Sequence, residues 1–202
     1  MPSAVIKRSD FSHGLVHLTR ERIEYENNIS FLDPPVQKKA YSPFEVLKEI
    51  LTSGVIRGSG NEGFIKGNQR AVCFSEIPLS AIHQFALPPK EEKARYRFYG
   101  ISLSKKAVFK AGGRPVIYLP DDEADWIPSE QKWRHVRFEL GEVDFTHERE
   151  WRVLDDFNLD RVPGLYVIVW SATEAREIQA LKTRISEKIR GVLPMEHLTR
   201  LL

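Results

Sequence analysis

The sequence has a single cysteine, Cys73, among its 202 residues, so no internal disulfide can form. One thiol also cannot build a multi-cysteine zinc site. Chains without disulfides are typical of reducing compartments, and the cysteine content therefore predicts a cytoplasmic protein.

Long apolar runs are also missing. The longest, Leu165–Trp170, is far shorter than the roughly 20 residues that a membrane-spanning helix needs. The amino-terminal segment, MPSAVIKRSD, contains no apolar stretch of signal-peptide length. We therefore expect neither a membrane-embedded protein nor one secreted through a signal peptide.

Net charge is the third quantity that is scarce, since 30 basic residues oppose 28 acidic ones. Nonspecific binding to duplex nucleic acid requires a strongly basic surface, and this balance excludes that class while leaving a locally bound nucleic acid open. What is present is 42% hydrophobic residues, without a repeat or a low-complexity segment. These proportions predict one globular domain over residues 1–202.

The clearest local pattern is a helix over residues 41–54. Ser42 is an N-cap candidate, Glu45 completes a capping box with it, and Gly54 ends the apolar periodicity. Strands are predicted at residues 14–20, 71–77, 96–103, 114–119, 136–140, 148–154 and 164–170. Ser171 and Glu174 predict a second capping box, for a helix running toward Gly191. The expected fold is α+β, with mainly antiparallel or mixed central sheets and flanking helices.

Residues 57–70 are rich in glycine and predict a mobile loop. Their Gly58-x-Gly60-x-x-Gly63 spacing matches the dinucleotide-binding fingerprint. That fingerprint requires a strand before it and a helix after it, whereas here a helix comes first, so we interpret the match as a coincidence.

The segment around Glu148 is the sharpest candidate for chemistry. On a strand over residues 148–154, side chains alternate, so Glu148, Glu150 and Arg152 would share one face while Trp151 is buried on the other. Two carboxylates at this spacing can face one substrate. The alternative is an ordinary solvated strand face whose ion pairs contribute little.

A second candidate pair is His17 and Thr19, which would share one face of the first strand. They could hydrogen-bond ribose hydroxyls or a phosphate, or His17 could be a partly buried histidine satisfied by backbone groups. Cys73 lies in an apolar strand and is interpreted as a core residue rather than a nucleophile. No His, Asp and Glu residues show zinc-ligand spacing.

Several segments resemble known families. Leu15-Val-His-Leu-Thr19 and Ile50-Leu-x-x-Gly54 resemble the start of the DNA-modifying ADP-ribosyltransferase toxins. Residues 72–79, 99–101, 113–118 and 148–153 resemble the bacterial abortive-infection proteins of the AbiGi type. The second resemblance covers roughly residues 14–170 and implies an ADP-ribosyltransferase-like fold.

The resemblance also implies roles for particular residues. The first-strand position falls on His17, with Arg20 as a rival, and the middle-strand hydroxyl falls on Ser75. The later-strand acid falls on Glu150, preceded by Glu148.

The implied co-substrate is NAD. Glu150 would stabilise the cation formed as nicotinamide leaves, and Glu148 would act on the acceptor. His17, Thr19 and Arg20 would hold the ribose or diphosphate, and the glycine-rich loop would close over the ligand. An aromatic ring, Tyr118 or Phe74, would stack on the nicotinamide.

The function implied is ADP-ribosylation of a nucleic acid or protein in bacterial antiphage or toxin–antitoxin defence. The AbiGi-type relatives are described as the antitoxin half of a two-gene system, so an inactive module that binds a partner encoded by a neighbouring gene is the main alternative. A metal-dependent nuclease with Asp144, Glu148 and Glu150 as ligands is a weaker one.

Overall fold

The computed structural model describes residues 12–26, 36–84, 86–88 and 96–196. Its strands are β1 (Gly14–Leu18), β2 (Arg22–Glu26), β3 (Val36–Tyr41), β4 (Val55–Ile56), β5 (Ala71–Ser75), β6 (Ala86–Leu87), β7 (Tyr96–Arg97), β8 (Gly100–Ser104), β9 (Arg114–Pro115), β10 (Ile117–Leu119), β11 (His135–Arg137), β12 (Glu150–Leu154), β13 (Phe157–Asn158), β14 (Leu165–Val169) and β15 (Ile189–Pro194). Its α-helices are α1 (Pro43–Ser53), α2 (Lys105–Lys110) and α3 (Ala172–Ala180).

Seven strands form the central sheet, in the order β15-β14-β8-β1-β5-β12-β9. Neighbouring strands are antiparallel except β14 and β15, which are parallel. The chain is thus a mixed α and β protein with a mainly antiparallel central sheet, as the sequence predicts. The order places β1, β5 and β12 side by side, and these strands carry four of the predicted site residues: His17, Phe74, Ser75 and Glu150.

The three α-helices contribute to one large apolar cluster. Leu47 of α1, Val108 of α2 and Ile178 of α3 belong to it, together with Leu15 of β1 and Phe74 of β5. Burial of apolar side chains between helices and a sheet is the main source of stability in such a fold. The strand residues that alternate with Leu15 and Phe74 face the opposite side of the sheet.

Helix α1 begins as predicted. The Ser42 hydroxyl accepts from the Glu45 backbone N–H, and the Glu45 carboxylate accepts from the Ser42 backbone N–H, which completes the capping box. Gly54 ends the helix in the left-handed conformation, with φ of 69°. Glycine adopts this conformation without the steric cost that a Cβ imposes.

The carboxyl-terminal part differs from the prediction. The helix expected to run toward Gly191 ends at Ala180, and β15 then pairs with β14. The strand predicted over residues 114–119 divides into β9 and β10, which belong to different sheets. Helix α2 and the β2–β3 hairpin were not predicted. Among the residues that the structure describes, no helix has the length and apolarity needed to cross a membrane.

Candidate functional site

The strands β1 and β5 pair only at Val16 and Ser75. A cavity of about 1170 Å³ lies beside this junction and is lined by residues of β1, β5, β12, α1 and the glycine-rich segment. A full ladder of backbone hydrogen bonds would close the sheet along the whole length of β1 and β5, whereas one residue pair leaves the strands apart elsewhere. We infer that the short pairing leaves room for the cavity to reach residues from both faces of the sheet.

One wall of the cavity is built by β5 and β12. The pairing places Glu150 opposite Ser75 and Arg152 opposite Cys73, so these four side chains share one face. All four line the cavity. The sequence prediction that Glu150 and Arg152 share a face agrees with this register.

The Glu150 carboxylate is held by a buried arginine. Arg152 donates to it from Nε at 2.8 Å and from Nη2 at 3.2 Å, in the forked arrangement that matches a guanidinium to a carboxylate. The remaining nitrogen, Nη1, donates to the carbonyl of Trp133 at 2.7 Å. The Arg152 side chain is 3% exposed and that of Glu150 is 11% exposed. The pair is therefore a fixed part of the wall and not a solvated surface pair.

Glu148 reaches the cavity in a different way from the one predicted. It ends a 3-10 turn, Thr146–Glu148, and Arg149 follows in the left-handed conformation with φ of 44°. The strand begins only at Glu150, so strand alternation does not align the two glutamates. Both nevertheless line the cavity.

Tyr118 holds the backbone of Glu150 in place. Its hydroxyl oxygen accepts from the Glu150 backbone N–H at 2.9 Å, and burial raises the pKa of the Tyr118 hydroxyl to about 12. Tyr118 is not among the residues that line the cavity. This placement does not fit the predicted stacking on nicotinamide, because the ring anchors the backbone of the wall.

Phe74 does not fit a stacking role either. It is 1% exposed and packs edge-on against Phe157 in the core, with ring centroids 5.4 Å apart. Strand alternation explains this placement, because Phe74 lies between Cys73 and Ser75 and points to the opposite face of β5. Burial also raises the pKa of the Cys73 thiol far above its usual value, so this cysteine is a poor nucleophile.

His17 lines the cavity between β1 and β5. Its Nδ1 donates to the carbonyl of Cys73 at 2.8 Å, and its ring lies 5.8 Å from that of Phe74. Burial lowers the pKa of His17, so the ring is neutral near pH 7. With the proton on Nδ1, the other nitrogen, Nε2, is a hydrogen-bond acceptor. His17 was predicted to donate a hydrogen bond to a ligand. In this structure it can only accept one, at Nε2.

Thr19 and Arg20 follow His17 along the cavity lining. Thr19 is 2% exposed, and its hydroxyl donates to the carbonyl of Pro43 at 2.7 Å, which ties the end of β1 to the start of α1. This bond uses the hydroxyl proton that was predicted to hold a ligand. Arg20 is exposed, with its guanidinium carbon 5.8 Å from the centre of the Tyr96 ring.

The glycine-rich segment also contributes to the lining, but it is not a phosphate loop. Before Gly58 stands only the short β4, and after Gly60 comes a single 3-10 turn. The Gly58 N–H donates to Asp156 Oδ1 at 2.8 Å, so it does not face a phosphate. A Cβ at Gly58 would lie 2.6 Å from the Asp155 carbonyl, so close packing explains this glycine. The fingerprint is a coincidence, as interpreted from the sequence.

Two phenylalanines of the lining, Phe64 and Phe145, were not singled out from the sequence, and neither was Tyr96. Phe64 belongs to the glycine-rich segment and Phe145 precedes the turn that carries Glu148. Neither has an alternating or helical pattern around it that would mark it as functional. The only available signal was a large apolar residue inside a glycine-rich segment.

Within residues 12–26, 36–84, 86–88 and 96–196, no group of three or more His, Cys, Asp or Glu side chains is arranged to hold a metal ion. The nuclease alternative, with Asp144, Glu148 and Glu150 as ligands, gains no support from that result. Comparison of the whole chain with protein-family models, with curated proteins and with solved structures finds no match.

Proposed function

We propose that this protein is an ADP-ribosyltransferase-like enzyme that cleaves NAD and transfers ADP-ribose to a nucleic acid or protein acceptor. The observation that carries the proposal is the single cavity lined by His17, Ser75, Glu148 and Glu150, which come from distant parts of the chain. The sequence resemblance assigns the same four residues to NAD chemistry. A cytoplasmic role in bacterial antiphage or toxin–antitoxin defence is proposed from the resemblance alone.

In this proposal Glu150 stabilises positive charge. Its carboxylate would accept a hydrogen bond from a ribose hydroxyl and face the oxocarbenium-like centre that develops as nicotinamide leaves. Arg152 fixes the carboxylate in one orientation through two hydrogen bonds. A carboxylate that is already oriented needs no reorganisation at the moment of bond cleavage.

His17 and Glu148 would have complementary tasks. The neutral His17 ring offers Nε2 as an acceptor for a ribose hydroxyl, since Nδ1 is engaged by Cys73. Glu148 lies on a turn rather than in the sheet, and we propose that it orients or deprotonates the acceptor group.

The cavity is large for a single small-molecule ligand. Pockets for single small molecules are typically about 300 to 1,000 Å³, and this cavity is about 1170 Å³. The volume therefore suits a ligand that is larger than a typical small molecule, such as NAD. The near balance of charge in the chain agrees with an acceptor that is engaged locally and not along an extended backbone.

The decisive measurement is nicotinamide release from NAD. Glu150→Gln keeps the shape of the side chain and removes its charge, and we expect a loss of at least about 100-fold in the rate. Glu148→Gln should reduce transfer to an acceptor more than NAD cleavage. Glu177→Gln, on the exposed side of α3 and paired with Lys48, is the matched control.

Folding of each variant is checked by its melting temperature, because Glu150→Gln also leaves Arg152 with a weaker partner. Calorimetric titration of the wild-type chain with NAD gives an answer that does not depend on the variants. Nicotinamide release that is unchanged in a folded Glu150→Gln variant would refute the catalytic role of this carboxylate.

A second candidate is an inactive, antitoxin-like module that binds a partner protein. The observation in its favour is the Arg152–Glu150 pair, because a carboxylate neutralised by a buried arginine stabilises a nearby cation less strongly. This candidate predicts no binding of NAD in the calorimeter and a tight complex with the product of a neighbouring gene.

A further inference from the structure

Phe64 is a strongly exposed apolar residue at the cavity. Its side chain is 75% exposed, and it also lines the large cavity. A phenylalanine that contacts water loses the favourable burial that its ring could have in the core. Single exposed apolar residues are common, so exposure alone does not indicate a role.

The backbone of Phe64 provides an independent observation. Its φ is 61° and its ψ is 26°, which is the left-handed conformation. Glycine and asparagine adopt this conformation readily, whereas for a bulky residue it is a genuine outlier. Strained residues of this kind persist where the surroundings hold them, and they occur preferentially at ligand-binding sites.

The surrounding turn holds the ring out of the core. The Phe64 backbone N–H donates to the Asn61 carbonyl at 3.1 Å, and the next residue, Ile65, is 1% exposed in a cluster with Trp133. Lys66 forms an ion pair with Asp121, which fixes the other end of the turn. The side chain of Ile65 therefore serves as the apolar anchor, and Phe64 is left facing the cavity and the solvent.

A second aromatic ring lines the same cavity. Phe145 is 38% exposed and lies three residues before Glu148 in the sequence. Its backbone is positioned by the turn in which Asp144 accepts from both the backbone N–H and the hydroxyl of Thr146. With Tyr96, which is partly exposed and also lines the cavity, three aromatic rings lie in one lining, and they favour a ligand that has a flat face.

We propose that Phe64 is a stacking residue for a nucleobase at this cavity. Every nucleobase has a flat face that can stack on an aromatic side chain, so stacking does not depend on the base sequence. Stacking removes the aromatic ring from water and does not require a basic protein surface. The identity of the ligand rests on the proposed function, because both NAD and a nucleic-acid acceptor carry such a base. The stacking itself can be tested without turnover.

The test is calorimetric titration with three probes: AMP, NAD and a short mixed-sequence single-stranded DNA. Phe64→Leu keeps an apolar side chain and removes the flat face, and we expect at least a fivefold weaker Kd for one or more probes. Phe64→Trp should retain the affinity. Phe109→Leu is the matched control, since Phe109 is 50% exposed on α2 and is not part of the cavity lining.

A second variant, Phe64→Gly, separates function from stability. Glycine relieves the left-handed strain, so the melting temperature should stay equal or rise while binding weakens as in Phe64→Leu. A purely structural role predicts the opposite result, in which the melting temperature falls and the affinity of the folded fraction is unchanged. That result would overturn the proposal.

The three probes also identify the source of the base. Weaker binding of AMP and NAD assigns Phe64 to the adenine of the co-substrate, whereas weaker binding of the DNA alone assigns it to the acceptor. The proposal is wrong if the wild-type chain binds none of the probes, or if Phe64→Leu binds all of them as the wild type does. Nicotinamide release by the wild type is recorded separately, so base binding without NAD cleavage would refute the proposed enzyme and retain the stacking site.

Discussion

Two regions on opposite faces of the central sheet, the helix-covered face and the β5–β12 wall of the cavity, are stabilised by different kinds of interaction. On the helix-covered face, apolar residues such as Leu47 and Phe74 pack in one buried cluster. On the cavity wall formed by β5 and β12, Glu150 and Arg152 are joined by a forked ion pair, and Arg152 also donates to the carbonyl of Trp133. The first region depends on apolar packing, whereas the β5–β12 part of the second face depends on charge and hydrogen bonds. The β1–β14 part of that second face packs in a separate apolar cluster that includes Val16 and Ile168.

The difference shows where the chain can carry chemistry. Apolar packing is tolerant of the exact partner as long as volume is conserved, whereas a buried charge must keep its partner. A wall that contains a buried ion pair therefore tolerates fewer substitutions than apolar packing does. Fixed polar groups beside a large cavity are the arrangement that a functional site would require. Substitutions on the two faces should separate the two roles.

The largest effect is expected for Arg152→Met. It removes one member of a buried pair and leaves the Glu150 carboxylate, which is 11% exposed, without its charge partner. Breaking such a pair costs about 3 to 5 kcal/mol in the free energy of unfolding. Urea denaturation measures the change, and the double variant Glu150→Gln/Arg152→Met should recover part of it because no charge then remains buried.

If Arg152→Met lowered the free energy of unfolding by less than about 1 kcal/mol, the Arg152–Glu150 pair would behave like an exposed ion pair. That result would contradict the contrast between the buried polar wall and the apolar face. Arg184, which pairs with Asp160 and is 52% exposed, provides the control. We expect Arg184→Met to change stability by less than about 1 kcal/mol.

A similar or somewhat smaller loss is expected for Leu47→Ala on the helix-covered face. Leu47 is completely buried, and removing its side chain leaves a cavity that costs about 2 to 5 kcal/mol. Nicotinamide release per folded molecule should remain that of the wild type. A specific loss of NAD binding in this variant would show that the two faces are not independent.

The smallest effect concerns pH. Burial lowers the pKa of both His17 and His135, so the unfolded chain binds more protons than the folded one below about pH 6.5. Stability from this source is complete above that pH and is lost as the pH falls toward the folded pKa values. Melting temperatures between pH 7.5 and 5.5 should show the decline, and His17→Gln should reduce it. A flat profile in the wild type would contradict the buried, neutral state of both rings.

Local signals explain why part of the fold was predictable. The capping box of Ser42 and Glu45 and the left-handed Gly54 are encoded within a few residues, and α1 begins and ends where they indicate. The capping box of Ser171 and Glu174 likewise marks the start of α3. The predicted end of α3 was wrong. The residues after the helix form β15, and its parallel pairing with the distant β14 leaves no local signal in the sequence.

The candidate site was predictable in its residue types and less so in its geometry. Strand alternation correctly placed Glu150 and Arg152 on one face, but it could not show that they bond to each other. The misplacement of Glu148 has a physical cause, because the left-handed Arg149 ends the turn just before the strand begins. Phe64 had no pattern that would distinguish it from a loop residue.

The strand order has a consequence for how this protein is made. The wall of the cavity joins Val16, Ser75 and Glu150, which lie far apart in the sequence and become neighbours only when β5 pairs with both β1 and β12. Chains with such long-range pairings fold slowly compared with chains rich in local contacts. During synthesis the cavity wall cannot be complete until Glu150 and the rest of β12 have left the ribosome, so about three quarters of the chain is produced before this wall can form.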